Sequence, residues 1–180
     1  TFVVGISGGI DSAVTSTLCA MTEIKTFTVI MPLNQNPIET ELGKEHCKWL
    51  KKKFHNIEQV VLPLDNAYKE LIKIVPDRFQ SKLSLANTKA RLRMNTLYLI
   101  ASSTNGLVVG TGNKVEDFGV GFFTKYGDGG VDISPIADLM KSEVYELAKE
   151  LKISDSIIKA KPTDGLWEDG RTDEEQLGIS

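Results

Sequence analysis

One stretch near the start of the chain constrains the fold more than any other. Residues 2–14 read FVVGISGGIDSAV, so an apolar, mostly β-branched run leads directly into Ser-Gly-Gly. A helical pattern of apolar and small residues begins just after it, at Ala13 and Val14. The segment therefore predicts a strand, a tight turn and the start of a helix, the geometry in which backbone N–H groups point at a bound anion.

The turn carries polar groups suited to a polyphosphate with its metal. Gly8 and Gly9 can adopt positive φ and let the backbone approach a phosphate closely. Ser7 and Ser12 add hydroxyl donors, whereas Asp11 adds a carboxylate that phosphate would repel. A divalent cation between Asp11 and the phosphates removes this conflict. The alternative, an ordinary capped helix start, needs only one polar residue, and this turn has three.

The two commonest nucleotide motifs are absent from this turn. It has neither G-x-x-x-x-G-K-[ST] nor G-x-G-x-x-G. The form Ser-Gly-Gly-x-Asp-Ser instead resembles the pyrophosphate loop of the N-type ATP pyrophosphatases. These enzymes cleave ATP between the α- and β-phosphates and transfer AMP to an acceptor.

Composition narrows the class of protein. The 180 residues are 41% hydrophobic and 25% charged, which is typical of a soluble globular domain, and no apolar run is long enough to span a membrane. A net charge of −3 gives no basic field for nucleic acid. Cys19 and Cys47 form no C-x-x-C pair, which favours a reducing compartment and buried thiols. His46 and His55 lie in and beside a Lys-rich helical stretch, and we expect both at the surface.

Strand and helix patterns alternate along the chain. After the first helix we predict strands at 25–31, 57–62 and 107–110, helices at 39–54, 65–75, 86–103 and 140–151, and irregular segments at 76–84 and 110–132. This alternation predicts an α/β fold with a parallel sheet and a ligand at the carboxyl ends of its strands. A capping-box spacing at 172–175 indicates a further helix where the chain stops, and the chain opens inside a strand. We therefore expect residues 1–180 to be one domain that lacks flanking segments.

A second group of residues follows the last predicted strand. Glu116 belongs to Gly110-Thr111-Gly112-Asn113-Lys114-Val115-Glu116, at the same edge of the sheet as Asp11, and is placed to complete a magnesium site. Taken alone, this motif leaves a solvent-facing Glu116 as an equal alternative. Lys141 stands in the first turn of a helix, where the macrodipole disfavours a cation, so we expect it to contact phosphate unless it is an ordinary exposed lysine.

By these motifs the chain is identified as similar to the bacterial NAD synthetases over essentially its whole length. The resemblance rests on five blocks: 5–14, 87–93, 110–116, 123–132 (FTKYGDGGVD) and 162–167 with 172–174. It implies a three-layer, Rossmann-like fold of the adenine nucleotide alpha hydrolase type. The implied reaction is the ATP-dependent amidation of deamido-NAD to NAD through an acyl-adenylate, in the cytoplasm. No glutaminase nucleophile is recognisable, which favours the ammonia-dependent form.

The resemblance also implies roles for individual residues. Those implied to contact ATP are Gly5, Ile6, Ser7, Gly8, Gly9, Ile10, Asp11, Ser12, Thr111, Lys141 and Thr163. Asp11 and Glu116 would hold Mg²⁺ and act in catalysis with Lys141, and deamido-NAD would contact Arg91, Lys125 and Asp132. Phe122 or Phe123 would stack on a substrate ring. Segments 76–86 and 119–130 are candidate lids that would keep water from the adenylate.

A homodimer is implied as well, with part of the deamido-NAD site contributed by the partner chain. The predicted helix 86–103 supports it, because apolar residues lie around more than one of its faces: Leu92, Met94, Leu97, Leu99 and Ile100. A sheet covers only one stripe of a helix, so the remainder needs another surface. A two-fold pairing of these helices would place Arg91 and Arg93 near the seam, whereas missing terminal helices could cover the same face within one chain.

Two alternative functions remain open at this point. Another AMP-transferring ligase, similar to the synthetase part of GMP synthetase, would share the first loop but lack the block at 125–132. A non-catalytic adenine-nucleotide sensor resembling the universal stress proteins would bind ATP alone. Isothermal titration separates the sensor from a synthetase, because a synthetase must also bind deamido-NAD.

Overall fold

The computed structural model describes residues 1–34 and 37–160. The strands are β1 (Phe2–Gly5), β2 (Thr26–Ile30), β3 (Ile57–Val61) and β4 (Leu107–Val109). The helices are α1 (Ile10–Met21), α2 (Pro37–Lys53), α3 (Asp65–Lys73), α4 (Lys82–Ser103), α5 (Lys141–Glu150) and α6 (Asp155–Ile158), with a 3₁₀ turn at Asp77–Phe79 and a π-helix at Lys114–Val120. The predicted alternation is confirmed, but the 3₁₀ turn and the π-helix lie in segments predicted to be irregular, and α6 was not predicted.

All four strands are parallel, in the order β3-β2-β1-β4. Phe2 pairs with Thr26 on one side and with Leu107 on the other, so β1 is an inner strand. Ile133 forms a parallel bridge to Val109 along the outer edge of β4. The turn after β1 and the segment after β4 therefore leave the sheet at the same edge.

Residues of β1 alternate between two cores, which makes the molecule three-layered as predicted. Val3 packs with Met94 and Leu97 of α4 and with Tyr68 of α3. Val4 faces the opposite side, where Cys19 of α1 and Cys47 of α2 lie. Because successive side chains of a strand point to opposite faces, one apolar run supplies both cores.

Helix α4 begins four residues earlier than predicted. The Ser81 hydroxyl accepts a hydrogen bond from the Ser84 backbone N–H at 3.1 Å and caps the helix there. Met94 and Leu97, predicted to need a second surface, are buried within this chain, and Leu92 and Ile100 pack against the same core. Leu99 is the residue of that predicted group that is exposed, at 71%.

The cysteines are buried, as predicted, in α1 and α2. Burial raises the pKa of Cys19 to about 12 and that of Cys47 to about 11, so neither thiol is poised as a nucleophile. Among the described residues no helix combines the length and apolar character that a membrane span requires.

The prediction that His46 lies at the surface is wrong. Only 3% of His46 is exposed, and its Nε2 atom lies 3.0 Å from the Ser16 hydroxyl of α1. His46 belongs to a buried stripe of α2 with Gly43, Cys47 and Leu50, spaced three, four and seven residues apart. The lysines around it occupy the other faces of the helix. Helical spacing, not local charge, decided its position.

We expect acid to destabilise the protein through His46. Burial lowers the pKa of His46 from 6.5 to about 4, so the unfolded chain binds this proton first as the pH falls. The free energy of unfolding should therefore decrease between pH 6.5 and pH 4, by about 3 kcal/mol in total, and be unaffected by His46 above that window. Denaturant unfolding at several pH values measures it.

The matched variants are His46→Gln and His55→Gln. Removing the buried imidazole should flatten the pH dependence in this window. His55 is exposed, so its replacement should leave the slope as in the wild type. Equal slopes in all three proteins would contradict the assignment to His46.

Candidate active site

The turn between β1 and α1 is held by its own serines. The Ser7 hydroxyl accepts from the Gly9 backbone N–H at 3.1 Å, and the Ser12 hydroxyl donates to the Gly9 carbonyl at 2.9 Å. Gly9 is the N-cap of α1 and offers no side-chain cap to the first N–H groups of the helix. Ile10, Asp11 and Ser12 line a cavity, so the positive end of α1 is directed at it.

Gly8 is required where the turn meets the start of α2. Its φ is +97°, and a Cβ atom added there would lie 2.2 Å from the carbonyl oxygen of Glu39. No side chain fits at that distance. The turn is thus fixed from outside by α2 and from inside by its serines.

Three charged side chains meet at the carboxyl edge of the sheet. The Lys141 Nζ atom donates to Asp11 Oδ2 at 2.6 Å and to Glu116 Oε1 at 2.9 Å. Asp11 comes from α1, Glu116 from the π-helix after β4, and Lys141 from the first residue of α5. The two carboxylates predicted as metal ligands do lie together, and the lysine predicted as a phosphate contact lies between them.

Asn113 organises this group and has no role in the sequence-based interpretation. It is fully buried, and its Nδ2 donates to Asp11 Oδ1 at 3.1 Å. Its Oδ1 accepts from the backbone N–H groups of Val115 and Glu116, both at 3.1 Å, and so caps the π-helix. The same side chain therefore orients the Asp11 carboxylate and fixes the backbone from which the Glu116 side chain projects. Its position immediately before the π-helix is an N-cap signal that the sequence does carry.

Charge at the site is set by burial and by these pairings. Burial alone would lower the pKa of Lys141, but Asp11 and Glu116 together raise it, so the ammonium stays charged. Burial raises the pKa of Asp11, and Lys141 opposes that shift. Asp117 beside them has its pKa raised to about 6, by burial and then by Asp128 and Glu116. Around Asp11 and Glu116, negative charge therefore exceeds positive charge.

The donor set suits a small divalent cation that retains water and phosphate ligands. Mg²⁺ takes oxygen ligands and is commonly bound through one or two carboxylates plus substrate phosphates. Two carboxylate oxygens here already converge on one cationic atom. Within residues 1–34 and 37–160 no group of three or more His, Cys, Asp or Glu forms a complete protein site. A metal here would need phosphate or water to complete its shell.

The cavity beside this group has a volume of about 500 Å³. Of the residues expected to contact ATP, those lining it are Gly5, Ile6, Ser7, Gly8, Gly9, Ile10, Asp11, Ser12, Thr111 and Lys141, and Glu116 lines it as well. Phe122 and Phe123 also line it, and α4 forms the opposite wall. Thr163 lies outside the described residues, as does the motif at 172–175.

The three residues expected to contact deamido-NAD lie outside this lining. Arg91 Nε donates to the Lys125 carbonyl at 3.0 Å and joins α4 to the segment 110–132. Asp132 accepts from the Tyr98 hydroxyl at 2.8 Å and from the Val108 backbone N–H at 2.7 Å. Within this chain, therefore, Arg91 and Lys125 lie together, whereas Asp132 binds the backbone of β4.

Other polar residues do line the cavity. They come from α4 and from the loop that contains Thr124 and Asp128. The Thr124 hydroxyl donates to Asn87 Oδ1 at 2.9 Å, and its backbone N–H donates to Asp128 Oδ1 at 3.0 Å. Arg93 also lines the cavity, and its Nε donates to the Met31 carbonyl at 3.3 Å. Positions two apart on a helix point in different directions, which explains why Arg93 reaches the cavity and Arg91 does not.

Comparison with known proteins gives a consistent result. The NAD synthase family matches over residues 1–180. An NH₃-dependent NAD⁺ synthetase from Carboxydothermus hydrogenoformans is 44% identical over 99% of this chain and 72% of its own length. An NMN synthetase structure from Francisella tularensis superposes with a TM-score of 0.91 at 38% identity, covering 99% of this chain and 72% of that one.

A third similar protein is the NH₃-dependent NAD synthetase from Campylobacter jejuni. Its structure gives a TM-score of 0.79 at 36% identity over 88% of this chain and 66% of that one. The turn between β1 and α1 and the Asp11–Glu116 pair match the expected motifs, and the family match extends over all 180 residues. The chain therefore belongs to the NAD synthase family.

Proposed function

We propose that the protein is an ammonia-dependent ligase that converts deamido-NAD to NAD. The nicotinate carboxylate attacks the α-phosphorus of ATP, and the bond to the pyrophosphate oxygen breaks. Ammonia then adds to the acyl carbon of the adenylate, AMP leaves, and a proton is released. The observation that carries the proposal is the convergence of the α1 phosphate turn with the Asp11–Lys141–Glu116 group on one cavity. The family match favours it over a GMP synthetase-like ligase or a sensor.

The chain's contribution is positioning and charge stabilisation, since the substrate's own carboxylate is the nucleophile. The N–H groups at the start of α1 and the Ser7 hydroxyl would hold the ATP phosphates, with Thr111 and Thr163 as further contacts. Lys141 would neutralise charge on the phosphates. Asp11 and Glu116 would hold Mg²⁺, which offsets the negative charge that develops on the transferring phosphate and the leaving pyrophosphate.

The carboxyl substrate would approach from the α4 side of the cavity. Its wall there combines Ala86, Ala90 and Met94 with the polar Asn87 and the cationic Arg93, a surface that suits a base and a phosphate. Phe122 or Phe123 would stack on a substrate ring. Arg91, Lys125 and Asp132 would complete the deamido-NAD site beyond the cavity.

The direct test is incubation with ATP, Mg²⁺, ammonium and deamido-NAD, with products identified by mass. We expect NAD, AMP and pyrophosphate in equal amounts, and none of them when deamido-NAD is omitted. ADP in place of AMP would refute the proposed chemistry. ATP binding without any turnover would favour the sensor.

A mononucleotide substrate is the second candidate, and the Francisella tularensis structure favours it. That structure is an NMN synthetase and superposes on this chain with a TM-score of 0.91. The same amidation would form NMN from nicotinic acid mononucleotide. Competition between the two acids in one reaction, with NAD and NMN quantified together, decides between the substrates.

We expect Lys125→Ala and Arg91→Ala to weaken deamido-NAD binding and spare ATP. Each removes a cation outside the phosphate turn, and loss of a charged hydrogen bond should raise the KM for deamido-NAD by about 10-fold. Lys125→Ala retains the carbonyl that accepts from Arg91, so it tests the lysine charge without loosening the loop. Steady-state kinetics in each substrate measures the effect.

Lys82→Ala is the control, because it removes an exposed cation from the first turn of the same helix. Both KM values should then match the wild type. A loss of ATP affinity as large as that of deamido-NAD in either test variant would refute this division of the site.

We also propose a homodimer in the cytoplasm, with the outer face of α4 at the two-fold seam. Leu99 is 71% exposed on that face, and pairing two copies would bury it. Leu99→Asp should shift the protein from dimer to monomer in sedimentation velocity with its fold retained. Leu97 is unsuitable for this test because it is buried in the chain's own core. A monomeric, active wild type would exclude both the dimer and a shared substrate site.

A further inference from the structure

The cationic atom of Lys141 occupies the position between the two predicted metal ligands. It contacts Asp11 Oδ2 at 2.6 Å and Glu116 Oε1 at 2.9 Å, and it approaches them from α5. The three side chains are 18–25% exposed, so water screens these charges only in part. The ammonium and a divalent cation would need the same oxygens.

Charge explains why some cation must be present there. Asp11 and Glu116 would repel each other if both were ionised without one, and Asp117 adds to the negative field. Asn113 binds the Asp11 carboxylate through its Nδ2 and the Glu116 backbone N–H through its Oδ1, so the two acidic residues are kept close together. One lysine therefore holds the pair together.

We propose that the Lys141 ammonium takes the place of the divalent cation between Asp11 and Glu116, and that lysine and metal exclude each other at this position. The inference rests on the metal ligands of the proposed function. In the nucleotide-free protein the ammonium holds the two carboxylates in place. When the metal arrives with ATP, the phosphates offer Lys141 a new partner, and its flexible four-carbon stem lets the ammonium move to them. Metal binding is thereby coupled to nucleotide binding.

The test measures the binding of Mn²⁺ alone, without nucleotide. The electron-spin resonance signal of free Mn²⁺ decreases as protein is added and binds the ion. Wild type should bind Mn²⁺ weakly. Lys141→Met removes the competing charge and should bind it at least about 10-fold more tightly. Lys149→Met removes an exposed lysine from the same helix and should bind as the wild type does. Asp11→Asn combined with Lys141→Met should abolish the gain.

Thermal unfolding gives a second measurement. Lys141→Met should melt at a lower temperature than wild type in EDTA and recover in Mn²⁺, whereas the wild type should change little. Lys141→Gln keeps a hydrogen-bond donor, so its melting temperature in EDTA should decrease less than that of Lys141→Met and should also recover in Mn²⁺. If both variants fold only in Mn²⁺, the proposal is supported.

Three results would overturn it: Mn²⁺ affinity unchanged or lower in the neutral variants, equal gains in Lys149→Met, or variants that Mn²⁺ cannot restore to the folded state. These readings use no substrate. Failure of the wild type to form NAD or NMN would refute the proposed function separately, whatever Mn²⁺ binding shows.

Discussion

Asp11→Asn is expected to leave the fold intact and to reduce kcat/KM by about 100- to 1,000-fold. The change keeps the shape of the side chain but removes one of the two carboxylates that converge on Lys141. Loss of one preorganised charge-stabilising contact costs ~3–4 kcal/mol in the transition state. The remaining oxygen can still accept from Asn113 Nδ2, so the local structure should persist.

The measurement is steady-state kinetics under saturating Mg²⁺, with folding checked by circular dichroism and denaturant unfolding. Glu146→Gln on α5 is the control, because it removes the same charge from an exposed position of a helix that borders the site. Its kinetics should be unchanged. A well-folded Asp11→Asn protein with near-normal activity would remove Asp11 from the proposed metal site.

The layered fold was predictable because apolar strands alternate with helices along the whole chain. Parallel strands need crossovers, and each interval between strands is long enough to hold a helix. The pairing of β1 with both β2 and β4 could not be predicted in the same way. It depends on which strand packs beside which, and the apolar sequences of β1, β2 and β4 do not distinguish their neighbours.

The proximity of the two carboxylates was predictable from topology. The contact of Lys141 with them was predictable only in part. Asp11 and Glu116 follow two parallel strands, so the carboxyl edge of the sheet brings them together. Lys141 lies 130 residues after Asp11, and its unfavourable place at a helix start indicated a further role. That role, in the structure, is an ion pair with both carboxylates.

His46 and Asn113 show why the remaining features were missed. The spacing that buries His46 was present in the sequence, but the surrounding lysines outweighed it in the interpretation. Asn113 lies in the segment 110–132, which was predicted to be irregular, so its N-cap signal had no predicted helix to cap. Its contact with Asp11 is revealed only by the structure. Buried polar side chains are specified by partners distant in sequence, which local patterns do not name.

Gly8→Ala is expected to lower ATP affinity by more than about 10-fold and to destabilise the protein by ~2 kcal/mol or more. Part of the cost is backbone strain at φ +97°, where an L side chain is disfavoured. The larger part is the close approach to α2. The new Cβ would lie 2.2 Å from the carbonyl oxygen of Glu39 and 3.0 Å from its carbon, both backbone atoms that cannot rotate aside. The phosphate turn or the start of α2 must therefore move.

Variants of two other glycines separate the effect of backbone strain from that of the contact with α2. Gly121→Ala places a side chain at φ +70° with nothing within 4 Å, so its loss of stability measures strain alone. Gly119→Ala meets only the Lys114 carbonyl at 3.5 Å and should leave stability unchanged. Urea unfolding and titration with a non-hydrolysable ATP analogue provide the two readings. If Gly8→Ala lost no more stability than Gly121→Ala and bound the analogue as the wild type does, the contact with α2 would not be what shapes the phosphate turn.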